Sequence, residues 1–169
     1  MFKSKSQRCF SFIVFGIYFT LLIWLVLFKL NLPFWEVRHV RTINLIPFWY
    51  DRGTRFLLHL QEMLYNILAF IPLGVYMSIY KPGWALWKKV LPCFVVSFLF
   101  ESLQFAFALG VSDVTDLITN TLGGVIGILL FALARNIFSE KSVAVMNTLV
   151  LAAEGSAVSL LAVLLIANG

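Results

Sequence analysis

Glu101, Gln104, Asp113, Asp116 and Asn120 stand inside or beside stretches whose other residues are almost all apolar. An ionisable side chain at the centre of a membrane span costs roughly 2.5–3.5 kcal/mol on insertion scales, so its presence marks function by default. Three kinds of chemistry suit this set. A carboxyl poised by burial acts as general acid or base. Three carboxylates, Glu101, Asp113 and Asp116, can hold a hard divalent cation such as Mg²⁺ together with waters. The same groups can also simply hydrogen-bond a polar headgroup. No Ser/His or Cys/His pair stands at the same depth, so no nucleophile is legible. Cys9 and Cys93 are the two cysteines and form no CxxC, which leaves neither a zinc site nor a disulfide framework to expect. His39 and His59 lack ligand spacing and read as surface groups. No cofactor motif is evident; a divalent cation at the carboxylates is what the pattern allows.

Helical spacing groups these residues on faces. Ser97, Glu101 and Gln104 fall at i, i+4 and i+7; Asp113, Asp116 and Asn120 at i, i+3 and i+7; Glu62 and Asn66 at i and i+4. Bland readings accompany each. Asp113 and Asp116 suit helix N-caps, where free N–H groups and the helix dipole favour an anion. Asn66, Asn120 and Gln104 suit interhelical hydrogen bonds of about 0.6–2 kcal/mol each. Glu101, near mid-span, is the hardest to read as structural. Glu154 has no polar stripe beside it and stays unassigned.

The elements that must carry these residues are membrane helices. The 169-residue chain is 61% hydrophobic and 12% charged, with net charge +5 and mean hydropathy +0.93. Soluble domains carry about twice that charged fraction, and about 20 apolar residues cross a hydrocarbon slab of roughly 30 Å. The expected fold is all-α: a polytopic membrane helical bundle of about five transmembrane helices, spanning 10–28, 63–80, 90–110, 116–134 and 143–167. The first is too long for a signal-peptide core and no small-x-small cleavage site follows it. Lys3, Lys5, Arg8, Lys81, Lys88, Lys89, Arg135 and Lys141 then share one side, against Lys29, Arg38, Arg41, Arg52 and Arg55 on the other. The positive-inside rule reads this as N-in, C-out. The basic residues serve as cytoplasmic flanks, and no basic stripe argues for nucleic acid.

With that orientation all three polar stripes lie in the outer half, and the inner half is expected to hold almost no polar groups. Buried carboxylates need partners. The outer loop, 29–59, supplies the outer-side cations, and Arg41 is expected as counter-ion, with Asn44 beside it, once the loop folds over the cluster. That loop repeats itself, Asn31-Leu-Pro-Phe-Trp returning as Asn44-Leu-Ile-Pro-Phe-Trp, which suits an interfacial segment. Glu62-xxx-Asn66 also echoes Asp116-xxx-Asn120, a faint hint of internal repetition. Pro72 and Gly74 suggest a kink beside the cluster. Gly123, Gly124 and Gly127 suit close helix packing.

Arg41-xx-Asn44-Leu-Ile-Pro-Phe48, Glu62-xxx-Asn66-xxxxx-Pro72-Leu-Gly74, Glu101-xx-Gln104 and Asp113-xx-Asp116-xxx-Asn120-xx-Gly123-Gly124 together resemble the VanZ-like family in order and spacing. The likeness covers about residues 10–134; the fifth span and Glu154 lie outside it. The resemblance implies a Gram-positive cytoplasmic membrane protein associated with resistance to teicoplanin-type lipoglycopeptides. It implies no remodelling of the D-Ala-D-Ala terminus and no assigned reaction.

Two functions compete at this stage. One is an outer-leaflet factor whose cluster (Arg41, Asn44, Glu62, Asn66, Gln104, Asn120) binds a membrane lipid, a lipoglycopeptide or a lipid-linked envelope precursor. The other is an intramembrane hydrolase or transferase using Glu101, Asp113 and Asp116. A transporter or proton-coupled channel ranks last, because the inner half offers no path.

Overall fold

The computed structural model describes residues 2, 4–28, 40–49 and 56–168. In chain order these form α1 (Lys5–Phe28), β1 (Val40–Asn44), α2 (Phe56–Tyr80), α3 (Leu86–Ala106), β2 (Leu109–Asp113), α4 (Val114–Phe138), a 3-10 turn (Ser139–Lys141) and α5 (Ser142–Asn168). His39, the first copy of the Asn-Leu-Pro-Phe-Trp echo and most of the 29–59 loop lie outside the described residues.

The fold is a helical membrane bundle. Among the described residues its apolar stretches are four, not the expected five: Lys5–Leu27, Phe56–Tyr80, Leu86–Ala106 and Val114–Ser159, the last running for 46 residues. The reason is local. Only the 3-10 turn Ser139–Lys141, with Ser139 at φ 48°, separates α4 from α5, so the two helices form one uninterrupted apolar stretch of sequence. Asn147 nonetheless bonds Ser11 and Tyr76, so α5 turns back along α1 and α2.

The centre of the bundle is the pairing of α2 with α4, and glycines make it possible. A Cβ on Gly123 would overlap the backbone of Ile67, one on Gly127 that of Ile71, and one on Gly74 that of Gly124. Backbones this close rely on dispersion contacts and small residues, the usual basis of helix association in lipid. Gly124 faces the side chain of Cys93, which brings α3 in. The α2 helix continues through Pro72 to Tyr80. On α1, Val14, Tyr18, Leu22 and Val26 recur every fourth residue and are all buried; on α5 the buried Val143, Met146 and Val150 are spaced three and four apart. Leu91, Phe94, Phe98 and Leu99 of α3 are exposed, as suits a face toward hydrocarbon.

Two of the boundaries that differ from the sequence expectation bear on the site. Helix α2 begins at Phe56 rather than 63, so Glu62 and Asn66 sit within it. The third helix stops at Ala106 instead of reaching 110, because Leu109–Asp113 becomes a strand. That strand pairs in parallel with β1, in the register Arg41 to Gly110 and Asn44 to Asp113. A parallel pair needs a crossover, and α2 with α3 supply it. The two strands roof the end of the bundle where α3 ends and α4 begins.

Candidate functional site

Beneath this roof the expected residues converge. Glu101 is 8% exposed, and its Oε2 accepts the backbone N–H of Asp113 at 2.9 Å. The Ser112 hydroxyl donates to the carbonyl of Glu101. Asp113 is the N-cap of α4: Oδ1 accepts the N–H of Thr115 at 2.7 Å, while Oδ2 accepts Nδ2 of Asn44 at 3.0 Å. The cap reading of Asp113 therefore holds, and the expected helical stripe is corrected to a cap followed by Asp116 and Asn120. The Asp113 backbone is extended, φ −123°, ψ 127°, and does not follow helical periodicity.

Asn44 ties the loop to the site in both directions. Its side-chain oxygen accepts the N–H of Ile46 at 3.2 Å, and Phe48 N–H donates to the Thr115 hydroxyl at 3.0 Å. The described part of the loop, 40–49, thus folds over the cluster. Arg41 differs from its expected place: Nη2 donates to the Ala106 carbonyl at 3.1 Å, and the guanidinium lies 5.8 Å from the Phe105 ring centre. The cation expected to neutralise a carboxylate instead caps the C-terminal end of α3, where the helix dipole favours it.

Deeper in the bundle the contacts run between helices. Nδ2 of Asn66 on α2 donates to Oδ1 of Asp116 on α4 at 2.7 Å. Nδ2 of Asn120 on α4 donates to the Ser97 hydroxyl on α3 at 2.9 Å. Nε2 of Gln104 on α3 donates to the Val26 carbonyl on α1 at 2.8 Å. Ser97, Gln104 and Asn120 are fully buried. Glu62 is exposed and does not join them. The Gln104 bond fixes its amide, since a carbonyl only accepts, and leaves Oε1 buried with no hydrogen-bond partner among the described residues; Oδ1 of Asn120 likewise has none. Gln104 Oε1 is thereby fixed as an acceptor, whereas the Ser97 hydroxyl bonded to Asn120 can donate as well as accept. Among the described residues no group of three His, Cys, Asp or Glu side chains is placed to hold a metal ion.

Sequence reasoning missed Ser112 and Thr115, whose roles depend on the strand pairing. It also missed a second polar network at the other end of α2. There Asn147 Oδ1 accepts from Ser11 and Tyr76, and Tyr80 donates to the Ser11 carbonyl. The expectation of an almost apolar half is corrected accordingly. Tyr76 and Tyr80 at i, i+4, and Asn147 and Glu154 at i, i+7, carried the signal.

The family model described as VanZ/LLP1 matches residues 15–135. Protein VanZ of Enterococcus faecium is 38% identical over 128 residues, covering 75% of this chain and 76% of that protein. No solved structure matches. The match takes in β1, the strand-capped start of α4 and the glycine seam, that is, every element that positions the cluster. The chain belongs to the VanZ/LLP1 family.

Proposed function

We propose that this chain is a multi-pass protein of the bacterial cytoplasmic membrane that contributes to resistance against teicoplanin-type glycopeptides by binding a lipid or lipidated ligand at the outer leaflet. The observation that carries this reading is the pair of buried amide oxygens without a hydrogen-bond partner among the described residues, Gln104 Oε1 and Asn120 Oδ1, on the helices that carry Glu101 and Asp116 beneath the β1–β2 roof. Positive-inside distribution puts the end of α1 that leads to this roof outside, since Lys5 and Arg8 precede it and Lys81, Lys88 and Lys89 sit at the opposite end. Family membership supports the resistance role. Because both carboxylate oxygens of Asp113 are used to cap α4 and hold Asn44, binding is favoured over catalysis by all three carboxylates.

The test is drug susceptibility in an otherwise sensitive Gram-positive host, with lipidated and non-lipidated glycopeptides in parallel. Wild type is expected to raise tolerance of the lipidated drug selectively, and Asn120→Ala and Gln104→Ala to abolish that gain with the protein still present in the membrane. Glu101→Gln keeps a hydrogen-bonding group and should retain resistance if the cluster only binds. Complete loss with Glu101→Gln at normal expression favours the hydrolase or transferase reading, with Glu101 as the proton-transfer group.

A further inference from the structure

Glu154 lies on α5, outside the residues matched by the family model, and takes no part in the cluster under the roof. It is 7% exposed, and among the described residues neither carboxyl oxygen has a hydrogen-bond partner. It stands about halfway along α5, thirteen residues into a helix that starts at Ser142. The groups near enough to interact with it electrostatically are Tyr18 of α1 and Tyr76 of α2, whose rings lie 6.3 Å apart.

What these neighbours offer is decided by where their protons already point. The Tyr18 hydroxyl donates to the Ala69 carbonyl at 2.7 Å. Tyr76 donates to Oδ1 of Asn147 at 3.1 Å, and Tyr80 to the Ser11 carbonyl at 3.0 Å. The hydroxyl protons of Tyr18, Tyr76 and Tyr80 are committed to other acceptors, so none of the three donates to Glu154. A carboxylate among acceptors in a low-dielectric interior has no compensating charge. Oxygen-rich surroundings of this kind take a hard cation or a proton.

We propose that the seam between α1, α2 and α5 is a second site, taking a monovalent cation (a proton or a sodium ion) on Glu154, with the Tyr18 and Tyr76 oxygens as neighbouring acceptors. The titratable groups that interact with Glu154 are Tyr18 from α1 and Tyr76 from α2. Among the described residues α4 contributes to the core through Ile128, Phe131 and Ala134, none of which titrates. The site is independent of the ligand reading for the strand-roofed cluster.

The experiment uses the full chain purified in detergent near neutral pH, with glutamate carboxyls ¹³C-labelled. Melting is followed in sodium against choline at constant ionic strength, and infrared spectra are recorded in both. A bound sodium ion raises the melting temperature of wild type, since a ligand of the native state stabilises it. That rise is expected to vanish in Glu154→Gln and persist in Glu140→Gln. A proton gives no sodium response but a protonated-carboxyl band that Glu154→Asp removes from the labelled set. Glu154→Asp keeps an acid at the position and serves if Glu154→Gln does not fold. An ionised Glu154 band in sodium-free buffer, with melting indifferent to sodium, overturns the proposal.

Discussion

Asp113 works with both carboxylate oxygens and its own N–H, joining α3, β1 and α4 at a single residue. Asp113→Ala removes a cap worth about 0.5–2 kcal/mol and releases Asn44 as well. Thermal melting in detergent is therefore expected to fall for Asp113→Ala and much less for Asp113→Asn, which still caps. At Asn66 the expected effect is different. Asn66→Ala takes a donor from the Asp116 carboxylate, and hydrogen bonds to charged groups contribute about 1.5–3 kcal/mol. That variant should destabilise without moving β1, which hydrogen exchange of the Arg41–Asn44 amides would confirm. Glu101, Asp116, Asn120 and Gln104 could be placed from spacing alone because helical periodicity puts them on inward faces. Arg41 could not, since its partner is a backbone carbonyl at the end of α3 that no pattern of side chains announces.

At the scale of elements the glycine seam between α2 and α4 is the most demanding feature. A methyl group at Gly127 or Gly74 meets backbone rather than a movable side chain, whereas at Gly16 or Gly155 it meets nothing within 4 Å. Gly127→Ala and Gly74→Ala are expected to cost about 1–3 kcal/mol or more by forcing the helices apart. Gly16→Ala and Gly155→Ala should be neutral or slightly stabilising, helix propensity favouring Ala over Gly. Comparing folded yield across the four variants in one expression system checks this directly. The seam was legible as a small-xxx-small spacing, Gly123 to Gly127. The strands were not. Leu109 and Gly110 read as the tail of an apolar helix and Asp113 as part of the next helix's polar stripe, whereas the strand conformation of Leu109–Asp113 depends on β1, which is far away in sequence. Helix α2 was likewise cut short at 63, because Gln61 and Glu62 look like a boundary yet lie within the helix.

The whole molecule divides into two polar regions separated along α2. Under the strands stand Asn66 and the α3–α4 cluster; toward the other end stand Tyr76, Tyr80, Asn147 and Ser11. The proposed orientation sets these on opposite sides of the bilayer midplane. Val111, 39% exposed on β2, and Gly83, in the α2–α3 turn, allow a direct test in a background where Cys9 and Cys93 are replaced by Ser and Ala. Val111→Cys is expected to react with a membrane-impermeant thiol reagent in intact cells, and Gly83→Cys only after permeabilisation. The reverse pattern would overturn the outward placement of the cluster.

The pairing of β1 with β2 also dictates an order of assembly. Residues 40–44 leave the ribosome well before residues 109–113, so the earlier strand waits for two complete helices to be inserted before it has anything to bind. Loop closure over that length is slow relative to local helix formation. Until then the first half of the chain must sit in the bilayer with its carbonyls and amides at 40–44 facing water. A nascent chain arrested before Leu109 would be an open form, cut readily by protease near β1, whereas one arrested beyond α4 would resist.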